Sequence, residues 1–488
     1  MSTSRAARAL LATALLLLGV LLAIPGARAQ DATPIALTLV SQTPWNTPKD
    51  AEVRLAVQAE NRGEAPLGDL TVGVTIGAAI RSRNAYEASL TEGPGLPIFA
   101  TTIAESGSLQ PGERRRFHVD IDLSTIGGVS ATDSLVYPLR VDLRTAGAPV
   151  ATLDTPVVVV VRKPEAPLLV SATIELTGPI AFDPQGRLAV PSFETAVAPG
   201  GTLAAEVDGL QRLAEDGRTS LELAIEPLLL DQLQRMSDGF GRSDGTTVAP
   251  RTGAAADAGA LITSLRRVVA SPAIHVSAMP FSSPTIPSLL ASGLASDLAV
   301  QEARGRETVK SILGVEPATT VTRPPLGELD DPAVQALAVL GVTTILADAD
   351  TVTRPPQPNE FAPPPTASLA MDGQTVALVL PDTGTQDLLV APGFLDDPVR
   401  AAQATMGELA TIWREQPVPV EPRGVAVSLP AGLPASFWGA FLGRLAEAPF
   451  LRAVAQSSHA CNIIGVLSGI YPIVAPRLSR LSMQSLAH

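Results

Sequence analysis

Four carboxylates stand where a parallel α/β fold would put its chemistry. Glu226 follows the apolar run Leu221–Ile225, and Glu328 lies just past Arg323-Pro324-Pro325. Asp348 follows Thr343–Leu346, and Asp382 follows Val376–Leu380. Active sites of such folds form at the carboxyl ends of the strands. Two carboxyls facing each other about 5–9 Å apart suit cleavage of a glycosidic bond, one as acid and the other as base or nucleophile. Each also has a plainer reading. Glu226 precedes Pro227 and would cap the following helix, Asp330-Asp331-Pro332 spells an N-cap followed by a first-turn proline, and Asp348 and Asp350 lie in a polar turn. Phe281, beyond the third apolar run, and Arg323, beyond the fourth, are expected to line a groove at the same face. The last run, Val425–Leu429, is followed by Pro430-Ala431-Gly432 and brings no acid.

Other chemistries have weaker signals. A zinc site needs clustered His, Cys or carboxylate ligands. His275 lies alone within an apolar strand, as a core histidine would, His118 belongs to a different region, and no HxxxH, HxH or CxxC spacing occurs. No metal and no cofactor are expected. Gly241-Arg242-Ser243-Asp244-Gly245 spells GxSxG, but a nucleophile elbow needs a strand before it and a helix after it. Here the flanks are polar, which fits a loop.

The elements that must position these residues fall into two regions. From Ile35 to Arg162 the apolar period is two. Val53, Leu55, Val57 and Ala59 alternate with Glu52, Arg54, Ala56 and Gln58, and further runs follow at Leu70–Ile76, Phe117–Ile121, Leu139–Leu143 and Val157–Val161. Short alternating strands separated by Gly, Pro and Asn predict an Ig-like β-sandwich over residues 30–163, with Ala78–Ala104 as a surface excursion. Lys163-Pro164-Glu165-Ala166-Pro167 is a linker.

Beyond the linker, seven apolar strands alternate with helical stretches over residues 168–455, starting with Leu168–Ile174. The intervening helices are expected to include Leu203–Ala214, Ala254–Ser271, Ile286–Gly314, Pro332–Leu340, Pro398–Glu415 and Leu433–Glu447. This rhythm predicts a parallel α/β domain, a (β/α)7-type barrel or, alternatively, an open doubly wound sheet. The proline-rich stretch Arg354–Pro365 reads as a loop.

The chain has 488 residues, one cysteine (Cys461) and a formal net charge of −13. That length suits two or three domains, a single cysteine forms no internal disulfide, and the charge disfavours a nucleic-acid partner. Arg5 and Arg8 precede the apolar run Ala9–Ile24, and Ala27-Arg28-Ala29 follows. This is the pattern of a secretory signal peptide over residues 1–29, cleaved between Ala29 and Gln30. It predicts an exported protein, extracellular or in the cell envelope. Residues 456–488 are atypical. Ser457–His488 holds no Asp or Glu and carries the only cysteine. A packed final helix, a weak membrane-associated segment and an out-of-frame end compete. The last is favoured, so membrane contact is expected only through a missing or altered C-terminus.

Four stretches in order give the second region a resemblance. They are Leu223-Ala224-Ile225-Glu226-Pro227, Ala278-Met279-Pro280-Phe281-Ser282-Ser283-Pro284, Thr322-Arg323-Pro324-Pro325-Leu326-Gly327-Glu328-Leu329, and Gly341-Val342-Thr343-Thr344-Ile345-Leu346-Ala347-Asp348. Together they resemble glycoside hydrolase/deacetylase-like barrels related to the family-57 glycoside hydrolases. The whole chain is similar to exported bacterial proteins that join an Ig-like sandwich to such a barrel. The resemblance implies a catalytic glutamate at the fourth strand and an aspartate near the seventh. Here the fourth strand ends in Arg323 and the seventh in Ser428-Leu429-Pro430, and neither the first-strand histidine motif nor the deacetylase Asp-His-His set is present. The implied function is a degenerate, non-catalytic barrel that binds a glycan or an envelope protein. The alternatives are a carbohydrate hydrolase using strand-end carboxylates and a purely structural module.

Overall fold

The computed structural model describes residues 35–104, 107–162, 166–348, 351–353, 366–371, 373–415, 423–455 and 477–478. The leader with Ala29 and Gln30, Asp350, the stretch 354–365 and all of the tail except Arg477–Leu478 lie outside the described residues.

The N-terminal region holds β1 (Ile35–Gln42), β2 (Glu52–Asn61), β3 (Leu70–Gly77), β4 (Pro97–Ala104), β5 (Arg114–Asp122), β6 (Leu135–Thr145) and β7 (Ala148–Val159). They form two antiparallel sheets, ordered β1-β2-β5 and β4-β3-β6-β7. The period-two pattern sets the faces: in β5, Phe117, Val119 and Ile121 are buried while Arg116, His118 and Asp120 are exposed. Inward residues of both sheets, among them Val57, Phe117, Val74 and Val141, share one apolar core.

The span Ala78–Ala104 departs from the surface excursion expected of it. It contains β4 and a helix, Arg83–Glu92, whose Arg83, Tyr86 and Ser89 are buried. Ser82 caps this helix by accepting from the Ala85 amide at 3.3 Å.

The second region adds β8 (Leu168–Leu176), β9 (Arg187–Leu188), β10 (Leu221–Ile225), β11 (Phe240–Arg242), β12 (Thr247–Val248), β13 (Ile274–Ala278), β14 (Val321–Thr322) and β15 (Thr344–Leu346). It continues with β16 (Val352–Thr353), β17 (Thr366–Met371), β18 (Gln374–Val379), β19 (Gly424–Leu429) and β20 (Leu451–Ala453), and β21 (Arg477–Leu478) pairs with β16. Parallel pairing gives the orders β13-β10-β8-β19 and β14-β15-β18. The two sheets meet at both margins. A parallel bridge joins Ser277 to Ala318, and the Asp382 amide donates to Ala426 O at 2.9 Å. Seven parallel strands thus follow one another in sequence order around a ring.

One strand of these two sheets breaks the all-parallel expectation, and another extends the parallel pairing. β17 runs antiparallel to β18, so that sheet is mixed, and β20 adds a further parallel neighbour to β8. Residues facing outward from the ring, such as Ile174, Leu223 and Val427, pack under the helices. A small inward cluster of Val321, Leu346, Val379 and Ala426 fills the ring itself.

The six expected helical stretches follow in order with two of them broken, and Ser192–Val197, Pro227–Ser237 and Thr383–Val390 are further helices. Ile286–Gly314 is broken into Ile286–Ala291 and Ala295–Leu313, with Gly293 at φ +75° between them. Leu433–Glu447 is fragmented around a π turn at Trp438–Leu442. No described helix is long and apolar enough to cross a membrane.

Candidate functional site

At the carboxyl ends of the parallel strands the inward positions carry Glu175 from β8, Arg323 just past β14 and Asp348 just past β15. Arg323 is 4% exposed. Its Nε donates to Glu175 Oε1 at 2.8 Å, its Nη1 to Leu346 O at 2.9 Å and its Nη2 to Asp348 Oδ1 at 2.5 Å. The same Nη2 lies 2.7 Å from Glu175 Oε1. Two carboxylate oxygens bound to one nitrogen at these lengths are at most about 5 Å apart, no wider than the roughly 5–5.5 Å of paired carboxyls that cleave glycosidic bonds with retention. Here the guanidinium sits between them. Burial opposes its charge, but Glu175 and Asp348 outweigh that penalty and hold Arg323 above the usual arginine range.

The backbone is shaped to this cluster. Gly327 has φ +62°, and a Cβ there would run into the Asp348 carboxylate. Thr351 Oγ1 donates to Gly327 O at 3.0 Å and fixes the turn. Among the described residues a cavity of about 10 Å³ lies at this end, lined by Thr173, Arg323, Leu346, Val379, Ala426 and Ser428. That is room for one water, far below the size of a ligand pocket.

The other candidate residues occupy different settings. Glu226 Oε2 accepts from the Gly178 amide at 3.0 Å; its side chain makes no cap bond to the following helix, and instead ties down the loop after β8. Glu328 is half-buried beyond the short turn Pro325–Gly327. Phe281 is 7% exposed, covered by Arg304, whose guanidinium carbon lies 3.7 Å from the ring centroid. His275 is half-buried in β13, and burial lowers its pKa. Ser243 is exposed beside a turn in which Asp244 accepts from Thr246, with no helix following it. Among the described residues no group of three His, Cys, Asp or Glu is placed to hold a metal.

Asp382 is drawn into a second cluster. Its Oδ1 caps the helix Thr383–Val390 by accepting from the Thr385 amide at 2.9 Å. Both of its oxygens also accept from Arg83 of the N-terminal region, Oδ2 from Nη1 at 3.0 Å and Oδ1 from Nη2 at 2.6 Å. Arg83 Nε donates to Glu408 Oε1 at 2.7 Å. Asp382 and Glu408 are 5% and 1% exposed. Burial pushes the Glu408 carboxyl up to about 7, against the pull of Arg83. Burial alone pushes Glu206, on the helix Thr202–Asp216, to about 7 as well.

Sequence reasoning passed over Glu175 and Arg83. Glu175 occupies an inward position of β8, in phase with Ser171 and Thr173, so its period-two position was the available signal. Arg83 had none, because its partners lie 299 and 325 residues away.

No family model matches the chain, and no curated protein matches it. Among solved structures it is similar to a 4-alpha-glucanotransferase from Thermococcus litoralis, at 12% identity and a TM-score of 0.42, over 64% of this chain and 40% of that one. A GH57-type branching enzyme from Pyrococcus horikoshii matches at 12% identity and a TM-score of 0.42, over 65% of this chain and 73% of that one. A candidate polysaccharide deacetylase from Mycobacterium smegmatis matches at 12% identity and a TM-score of 0.38, over 65% of this chain and 98% of that one.

Proposed function

We propose that the chain is an exported, non-catalytic protein of the bacterial cell envelope. In this reading an Ig-like sandwich is joined to a degenerate family-57-type (β/α)7 barrel that binds a glycan or an envelope protein. Residues 1–29 support export, and the ordered stretches from Leu223 to Asp348 support the barrel. The observation that carries the loss of catalysis is Arg323. It stands at the end of the fourth parallel strand, where the resemblance implies a glutamate, and it is bonded to both neighbouring carboxylates. A carboxylate held in a charge-assisted pair is poorly disposed to attack carbon or deliver a proton, and the cavity beside Arg323 among the described residues has room for about one water.

The test is to incubate the purified mature chain with α-glucans and cell-wall glycans and to follow release of reducing ends. None is expected. Glycan arrays and pull-downs from envelope extract are then expected to capture a ligand, and failure of both overturns the binding reading.

One observation favours a second reading, a retaining hydrolase: the Glu175 and Asp348 oxygens approach within about 5 Å. Hydrolysis by the parent chain that disappears in Glu175→Gln or Asp348→Asn would establish it.

A further inference from the structure

The sandwich and the α/β half meet along the helix Pro398–Arg414, which is buried continuously from Ala401 to Ile412. The Leu39 amide, at an irregularity in β1, donates to Asp397 Oδ2 at 2.7 Å. Gln403 Nε2 reaches Pro44 O at 3.1 Å and Pro156 O at 3.3 Å. Tyr86 donates to Ala404 O, and Arg414 Nη1 to Ser134 O at 3.0 Å. At the centre of this contact one guanidinium, Arg83, faces the buried carboxyls of Asp382 and Glu408. The Arg83 amide also donates to Glu415 Oε1 at 3.3 Å. Gly384 leaves room for the group, since a Cβ there would meet the Arg83 guanidinium and come to 3.0 Å from Glu87 Oε1.

Acid outnumbers base at this contact. The second oxygen of Glu408, Oε2, has no hydrogen-bond partner, although it is sealed from water. An ionised carboxylate oxygen left that way is costly, whereas a protonated one is not. We propose that the sandwich–α/β contact is a proton-linked latch, in which Glu408 takes up a proton as Arg83 docks, so that the two halves hold together more tightly in mild acid than at neutral pH and above.

The titratable and charged groups facing Glu408 divide in sign, with the balance on the side of proton uptake. Arg83 favours its charge, while Asp382, Glu87 and burial oppose it. Tyr86 also lies within its electrostatic reach, and the helix of Glu408 with its two caps brings Asp397, Arg400, Arg414 and Glu415 to the contact, burial raising the Asp397 carboxyl as well. The Glu408 carboxyl moves from an ordinary 4.5 up to about 7. A raised carboxyl pKa gives stabilisation that is complete below the open-state value, is lost as pH rises through the docked value, and is level above it.

The test is amide hydrogen exchange of the full mature chain, read in the Arg83–Glu92 segment and corrected for intrinsic rate. Protection at about pH 5 is expected to exceed that at about pH 8 by roughly tenfold or more. Glu408→Gln, which mimics the protonated acid, is expected to keep the acid level of protection at both pH values. Glu206→Gln removes a different raised carboxyl outside the contact and is expected to leave the segment's pH dependence intact. Asp382→Asn keeps a helix-capping oxygen and removes one opposing charge, so it is expected to shrink the dependence. Equal parental protection at the two pH values overturns the proposal, as does an undiminished dependence in either Glu408→Gln or Asp382→Asn.

Discussion

Two arginines in this molecule do the same thing in different surroundings. Arg323 bridges Glu175 and Asp348 at the strand ends, and Arg83 bridges Asp382 and Glu408 between the two halves. The carboxyl side chains of the first cluster are 21% and 36% exposed, and those of the second 3% and 1%. Water can therefore share the excess negative charge of the first cluster, but in the second the protein must supply a proton or accept an unstable contact. One arrangement of one cation and two anions is thus a fixed plug in one place and a proton-dependent joint in the other.

The sharpest way to break this comparison is to remove each cation. Arg83→Met leaves two sealed carboxyls without their partner and is expected to cost roughly 3–5 kcal/mol in denaturant unfolding at neutral pH. Gly407→Ala tests the fit of the same contact, because its Cβ would come 2.5 Å from the Tyr86 hydroxyl and 2.7 Å from Pro156. A loss of about 1–3 kcal/mol is expected.

Titration comes next. Glu206 and Glu408 both rise to about 7 in the folded chain, so the folded state retains protons that the unfolded chain releases. Thermal stability is expected to fall as pH rises from about 4.5 to about 7 and then level off. The double variant Glu206→Gln, Glu408→Gln is expected to flatten that fall and to gain roughly 1–3 kcal/mol at about pH 8. The smallest effect belongs to Arg323→Met. Glu175 and Asp348 can rehydrate once the guanidinium leaves, so about 1–2 kcal/mol is expected in the same denaturant assay. A loss from Arg323→Met as large as that from Arg83→Met would erase the distinction between the clusters.

Much of the fold was legible because it is written locally. The alternation Phe117, Val119, Ile121 against Arg116, His118, Asp120 places the faces of β5 unaided. Asp330 before Asp331-Pro332 announces a helix start, and its Oδ1 does accept from the Ala333 amide at 2.9 Å. One local signal went unused: Asp372-Gly373 between two apolar segments is a strong two-residue hairpin pattern, and β17 and β18 pair across it from Met371–Gln374 onward.

The site was harder to read than the fold. Strand-end positions could be counted, so Arg323 and Asp348 stood out, but which charges meet is decided by the ring and not by neighbours in sequence. The helix Arg83–Glu92 was invisible for a related reason: it buries an arginine and a tyrosine against groups hundreds of residues away, so it lacks the apolar stripe by which a buried helix is recognised.

The bond from the Leu39 amide to Asp397 spans 358 residues, and this separation sets a timetable. At a synthesis rate of about 5–20 residues per second, Asp397 leaves the ribosome about 20–70 s after Leu39. Throughout that interval the Leu39 amide has only water to bond, and the face of β1 that meets the α/β half stays bare. The N-terminal strands can complete early, but they become a finished surface only when Asp397 and the helix Pro398–Arg414 arrive.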